Sequence, residues 1–231
     1  MNGFAFALIA FVLLHVGVSA TGLRTRIVSA IGEGPYRGLF SLLSLALLAW
    51  LVIGYQQMRS DPFDPLNEAM WAPPVETRAL AYALIFAGFV LGIGGLLTKN
   101  PTAAFFENAL NDADPARGVL SLTRHPFLWG VALWACGHLL MNGERFAVML
   151  FGALGAMSLY GARSIDRKRA RLNPEAWARF EAVTSSVPFA AILQRRNRLD
   201  LGSIWWRALV GALVFVLAAL FHRQLAGVAA F

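Results

Sequence analysis

Six apolar runs divide this chain, at residues 3–21, 39–55, 80–97, 127–141, 146–162 and 208–221. Runs of this kind leave few folds open. In lipid, every backbone amide must find its partner inside the protein, and a helix does so while crossing about 30 Å of hydrocarbon in about 20 residues. The pattern predicts an all-α fold: a polytopic transmembrane helical bundle of about six helices, forming a single domain over 1–231. Charge content agrees, since only 14% of the 231 residues are charged, against about 25% in a soluble domain. The lipid bilayer is the first partner this chain implies.

Only Asn142-Gly143-Glu144-Arg145 separates the fourth and fifth runs, which predicts a tight helical hairpin whose first helix can be drawn back toward Ala116. In the third run, Gly88 and Gly92 form a small-xxx-small pattern that lets two helices approach closely. Val18-Ser19-Ala20 resembles a cleavage site. A signal peptide carries Lys or Arg ahead of its apolar core, however, and none occurs here before Arg24, so a retained first helix is expected. Cys136 is the only cysteine. No intrachain disulfide can form, and its apolar neighbours predict a buried, inert thiol.

Loop charges set an orientation. Between residues 163 and 207, ten Lys or Arg face Asp166, Glu175, Glu181 and Asp200, leaving +6 of the chain's net +7. Basic loops stay in the cytoplasm. Counting spans backward puts Arg24 and Arg26 on that side as well. The acidic loop over 56–77 falls outside, and so do both termini. The Arg167-Lys168-Arg169 cluster beside a span is explained by anionic lipid and topology, so no nucleic-acid partner is expected. Asn173-Pro174 predicts the start of a short interfacial helix, with Trp177 and Phe180 set against the bilayer. Trp71-Ala72-Pro73-Pro74 reads as an interfacial anchor and a rigid approach to the third helix. Glu33 is expected to form a structural ion pair with Arg24, Arg26 or Arg37.

No Ser-His-Asp order, glycine-rich phosphate loop or paired-cysteine motif is present, which leaves the histidines to carry chemistry. His15, His125 and His138 lie in or beside apolar runs, where an imidazole is costly without a partner. Two imidazoles on different helices can supply both axial positions of a haem iron inside such a bundle. Hydrogen bonding within the bundle is the simpler fate for any one of them. His222, beside Arg223 at the end of the last run, reads as interfacial. Asn142 follows His138 and can orient a ligand or cap the hairpin.

Several motifs recur in a fixed order: His15, Gly32-Glu33-x-x-Tyr36-Arg37, Trp71-x-Pro73-Pro74, Arg124-His125-Pro126, His138-x-x-x-Asn142-Gly143 and Ser164-Ile165-Asp166. Together they resemble the NnrU family, from the first helix to about Arg198, with the last helix also expected. That resemblance implies a role in nitrite and nitric oxide metabolism in the bacterial cytoplasmic membrane, either as an enzyme or as a non-enzymatic accessory factor. It also implies kinship with 15-cis-zeta-carotene isomerase, a membrane haem b protein acting on a carotenoid double bond. On that footing the cofactor is haem b and the substrate is a hydrophobic small molecule or a nitrogen oxide. His15 and His138 are then the metal ligands, with His125, Arg124 and Asn142 beside the cofactor. Helix depth instead matches His15 to His125, because His15 lies about 20 Å from the outer start of its helix at about 1.5 Å per residue, whereas His138 lies near the outer end of its own. The chain also resembles membrane methyltransferases of the isoprenylcysteine carboxyl methyltransferase type. There, acidic residues stand where this chain has Lys168 and Arg169, a departure that counts against S-adenosylmethionine-dependent methyl transfer. No oligomeric state is implied.

Overall fold

Apolar runs without nearby prolines satisfy their amides helically, and among the described residues (3–18, 21–112 and 114–228) every long element is a helix. In the computed structural model α1 (Gly3–Val12) continues into a π-helical turn, Leu13–Val18. Then come α2 (Gly22–Ile31), α3 (Glu33–Ser60), α4 (Arg78–Leu96), α5 (Pro126–Met141), α6 (Arg145–Leu172), α7 (Pro174–Val183), α8 (Ala190–Leu193), α9 (Leu201–Leu220) and α10 (His222–Ala226). Ser19 and Ala20, where the sequence resembles a cleavage site, lie outside the described residues.

Helix α3, the stretch Val75–Leu96 that contains α4, and helices α6 and α9 are each long and apolar enough to cross a membrane; Gly3–Val18 with Gly22–Ile31 supplies a fifth crossing if counted as one span. The remaining apolar run, the fourth, forms α5, whose 16 residues reach about 24 Å at about 1.5 Å per residue. Its start is fixed by Pro126 at the first turn, which lacks the amide that a longer helix would need there. Residues Gly118–Ser121 form only a separate 3-10 turn, so the helix is not drawn back toward Ala116. Leucines on α3 (Leu42, Leu45) and on α9 (Leu209, Leu213, Leu220) are exposed. An outward apolar surface of this extent is what lipid contact requires.

Glycines set the centre of the bundle. A Cβ on Gly130 of α5 would stand 2.5 Å from the Cα of Gly92 on α4, and one on Gly88 would stand 2.7 Å from the Gly130 carbonyl oxygen. The two helices therefore touch backbone to backbone, as the Gly88-xxx-Gly92 pattern leads one to expect. Helix α9 closes on the other side of α4, with Gly211 against Val90. Helix α1 lies along α3, and Phe4, Leu8, Phe11, Leu51, Tyr55 and Phe151 pack as one core.

The α5–α6 hairpin is held from outside by the acidic loop. Met70 N donates to Gly143 O at 2.7 Å and Arg145 N donates to Glu68 O at 3.1 Å, while Trp71 fills the space where Gly143 has no side chain. Two expectations are corrected here. Trp177 and Phe180 do not face the bilayer; both are buried against Leu110 and Ala116 of the loop that precedes α5. Cys136 is exposed, not buried, because α5 turns its Gly130, Ala135 and Gly137 face inward and leaves position 136 on the outer surface.

Candidate functional site

Helices α3, α5 and α9 end, and α4 and α6 begin, around a cavity of about 460 Å³. This lies within the range of roughly 300–1,000 Å³ usual for small-molecule sites. Its walls are mostly apolar, including Leu48, Ile85, Phe89, Leu154 and Phe215, and its polar lining comes from Tyr55, Arg59, Tyr82, His138, Asn142 and His222. Few polar groups on an apolar wall suit a hydrophobic ligand with one or two points of attachment.

His138 stands on the last turn of α5, and its ring is fixed from two sides. It lies 4.4 Å from Trp134 and stacks on Phe151 at 4.7 Å, centre to centre. Its Nδ1–H donates to Trp134 O at 2.8 Å. Because a carbonyl only accepts, the proton is on Nδ1 and Nε2 carries the free lone pair. His222 opens α10 and repeats the arrangement, with Nδ1–H donating to Val228 O at 2.7 Å. The two rings are 6.4 Å apart with planes 21° from parallel. Neither Nε2 has a hydrogen-bond partner among the described residues. Nearby, Nη1 of Arg59 is buried and likewise has none. Asn142 lines the same cavity, and its Nδ2 donates to His138 O at 2.8 Å, closing the final turn of α5.

Arg124 and His125 belong to the other end of the bundle. Arg124 donates through Nε and Nη2 to the carboxylate of Asp166 on α6, at 3.1 and 2.7 Å, and through Nη2 to Glu181 on α7 at 3.0 Å. Its guanidinium also lies over the Trp177 ring. Nε2–H of the buried His125 donates to Asp166 at 2.6 Å. A buried cation needs this degree of pairing. The cluster ties the start of α5 to α6 and α7, and it stands apart from the cavity. Beside it, Glu33 pairs with Arg24 at 2.5 Å and with Arg37 at 2.7 Å, the structural ion pair expected from sequence.

His15 sits in the π-helical turn, where Nδ1 is 2.9 Å from Phe11 O and the ring meets Phe11 and Phe40 at 4.2 and 5.2 Å. Phe40 is early in α3, whereas Tyr55, which Phe151 links to the level of His138, is late in it. The path between them along α3 is about 22 Å at about 1.5 Å per residue. His15 and His138, the pair implied by resemblance, are therefore not brought together. His125 lies toward the same end as His15 but is engaged by Asp166. The group at the cavity is His138, Asn142, Arg59 and His222.

A family model described as "NnrU protein" matches residues 3–230. The chain belongs to the NnrU family. This NnrU chain is also 28% identical over 199 residues to "15-cis-zeta-carotene isomerase, chloroplastic" of Zea mays, covering 83% of the chain and 50% of the maize protein. It is 26% identical over 200 residues to the Arabidopsis thaliana protein of the same name, with the same two coverages. The NnrU chain thus spans about half the length of these relatives. No solved structure matches it.

Sequence reasoning read His222 as interfacial and gave Arg59 no place at a site. The signal for both was topological: α3, α5 and α9 run in the same direction, so Arg59, His138 and His222 come out at one end of the bundle. Lys168 and Arg169 stay in the basic end of α6, where Arg169 pairs with Glu107 at 3.4 Å.

Proposed function

We propose that this NnrU protein holds haem b in the cavity at His138 and acts as a cis-trans isomerase of a hydrophobic polyene in a bacterial cytoplasmic membrane. One observation carries the proposal: an apolar cavity of about 460 Å³ containing an imidazole whose Nδ1 is committed and whose Nε2 is not. The donor set fits the group. A ring nitrogen with its lone pair free suits iron, apolar walls suit the face of a porphyrin, and the unpartnered Nη1 of Arg59 suits a propionate. Bound there, haem b would supply a redox-active iron held by His138.

The chain's own residues do the rest. Trp134 and Phe151 hold the His138 ring, Trp134 O fixes its tautomer, and the apolar walls exclude water. The printed names of the two plant relatives support a polyene substrate.

The test is to express the full chain with haem supplied, purify it in mild detergent, and record its absorption spectrum and haem content. A Soret band at about one haem per chain is expected, together with conversion of 15-cis-zeta-carotene to its all-trans-15 form, followed by chromatography. A purified, folded chain that takes up no haem would overturn the proposal. Stoichiometric haem without any polyene isomerisation would remove the substrate assignment.

A further inference from the structure

We infer that the cavity opens sideways into the bilayer, between α3 and α9, and that a neutral long-chain hydrocarbon reaches it there. This deepens the polyene reading above by naming a route and a ligand class, but it rests on the cavity and not on haem. The helices form an arc instead of a closed ring. Helix α9 packs on α4, α4 on α5 and α5 on α6, and α6 meets α1 and α3; among the described residues, α3 and α9 do not pack on each other. Both nevertheless line the cavity, α3 through Leu48 and Val52 and α9 through Phe215 and Ala219. They are also the least buried of the four helices long enough to cross a membrane. Leu48 and Val52 are each 44% exposed, so the wall of the cavity is there also the outer surface of the molecule.

The end of the gap nearest water is bridged. Helix α9 stops at Leu220, and α10 follows and packs on α3, with His222 and Val228 on the cavity. Arg59 lies at that end as well. Val52 precedes it by seven residues, about 10 Å along α3 at about 1.5 Å per residue. Exposed residues around this lower part of the gap, among them Leu45 on α3 and Val216 and Leu217 on α9, are apolar. The passage thus lies at hydrocarbon depth, where a polar ligand has nothing to pair with. A phospholipid keeps its head group at the interface, where α10 stands across the gap, so its tail is held off. A hydrocarbon dissolved in the bilayer core meets neither obstacle. Volume gives a further reason. A cavity of about 460 Å³ encloses one compact ligand, so a long chain needs an open side through which the rest of it extends.

To test this, the full chain, prepared without supplied haem, is reconstituted in phosphatidylcholine vesicles containing a neutral long-chain hydrocarbon that carries a diazirine. After illumination, labelled residues are mapped by mass spectrometry. Label is expected at Leu48 and Val52, at Ile85 and Leu154 inside the cavity, and at the lipid-facing Leu42. Leu48→Trp combined with Val52→Trp narrows the gap, and should lower label at Ile85 and Leu154 several-fold while leaving Leu42 unchanged. Val52→Trp alone serves if the double variant does not accumulate. The same diazirine on the phosphatidylcholine tail should label Leu42 but not Ile85 or Leu154. Absence of label inside the wild-type cavity overturns the inference, and so does interior label that the tryptophans leave unchanged. Interior label from phospholipid equal to that from hydrocarbon overturns the ligand class. Label at Leu42 with none at Leu48 or Val52 would mean that a second copy of the chain covers the gap and that the hydrocarbon route is wrong. Hydrocarbon uptake by a chain that binds no supplied haem supports the route and removes only the haem reading.

Discussion

At the residue scale, the sharpest contrast is between the polar groups at the two ends of α5. Arg124 and His125 lie just before α5 and are tied to Asp166, although Nδ1 of His125 is buried without a partner among the described residues, whereas His138 ends that helix with a ring nitrogen facing a cavity. The first group answers to stability. Asp166→Ala should leave the Arg124 guanidinium buried without its main partner, since Glu181 is the more exposed of its two carboxylates. Stranding one member of a buried pair costs about 3–5 kcal/mol, so a marked drop in thermal midpoint is expected in detergent. The double variant Asp166→Leu, Arg124→Met should recover most of it. If Asp166→Ala melts like wild type, the cluster is not the fastening described here. The second group answers to ligand affinity. If haem b binds as proposed, Arg59→Leu would remove a charge-assisted bond to a propionate, worth about 1.5–3 kcal/mol. Haem titration of the apoprotein should then show affinity weakened roughly ten- to a hundredfold, and unchanged affinity would detach Arg59 from the site.

His138 was legible as a candidate site residue because an imidazole in an apolar run needs a partner. His222 was not, because a histidine beside an arginine at the end of a span has a sufficient explanation in interfacial water. Only the fold shows that α10 turns back over the cavity. Nor could sequence show that His15 keeps company with Phe11 and Phe40 at a level distant from His138.

At the element scale, hydrophobicity located all six apolar helices but not their ends. Helix α3 begins at Glu33 and runs to Ser60, beyond both edges of its apolar run. Helix α6 runs on to Leu172 through Arg-rich sequence, where Arg167 and Arg171 each donate to the carbonyl four residues before them. A helix satisfies its own amides in lipid or in water, so a change of solvent does not stop it. The amphipathic stripe of α7 was equally visible, but a stripe does not say what will cover it, and a loop covers it instead of lipid. The α4–α5 contact was the most legible feature, through Gly88 and Gly92, and it is open to test. Gly130→Ala places a methyl group 2.5 Å from Gly92 Cα, with backbone on the far side unable to yield. Overpacking of this kind costs about 1–3 kcal/mol, and a lower melting temperature is expected. Gly152→Ala, with open space around its Cβ position, should melt no lower than wild type. Equal melting of the two variants would mean that α4 and α5 are not in contact at this point.

At the scale of the whole molecule, charge and cavity are arranged at opposite ends. The basic segment and the Arg124 cluster lie where α5 begins, and the cavity lies where α5 ends, beside the acidic loop that clasps the hairpin. The positive-inside rule predicts that the basic end stays in the cytoplasm, which would open the cavity and its two histidines toward the outer leaflet. That orientation has a direct measurement. Phe63, in the acidic loop, and Leu193, the last residue of α8, are 93% and 81% exposed, so either can carry a thiol without disturbing the core. In a Cys136→Ser background, Phe63→Cys should react with a membrane-impermeant maleimide in intact bacterial cells. Leu193→Cys should react only after the membrane is opened. The reverse pattern would place the cavity on the cytoplasmic side and give its substrate the opposite leaflet as a source.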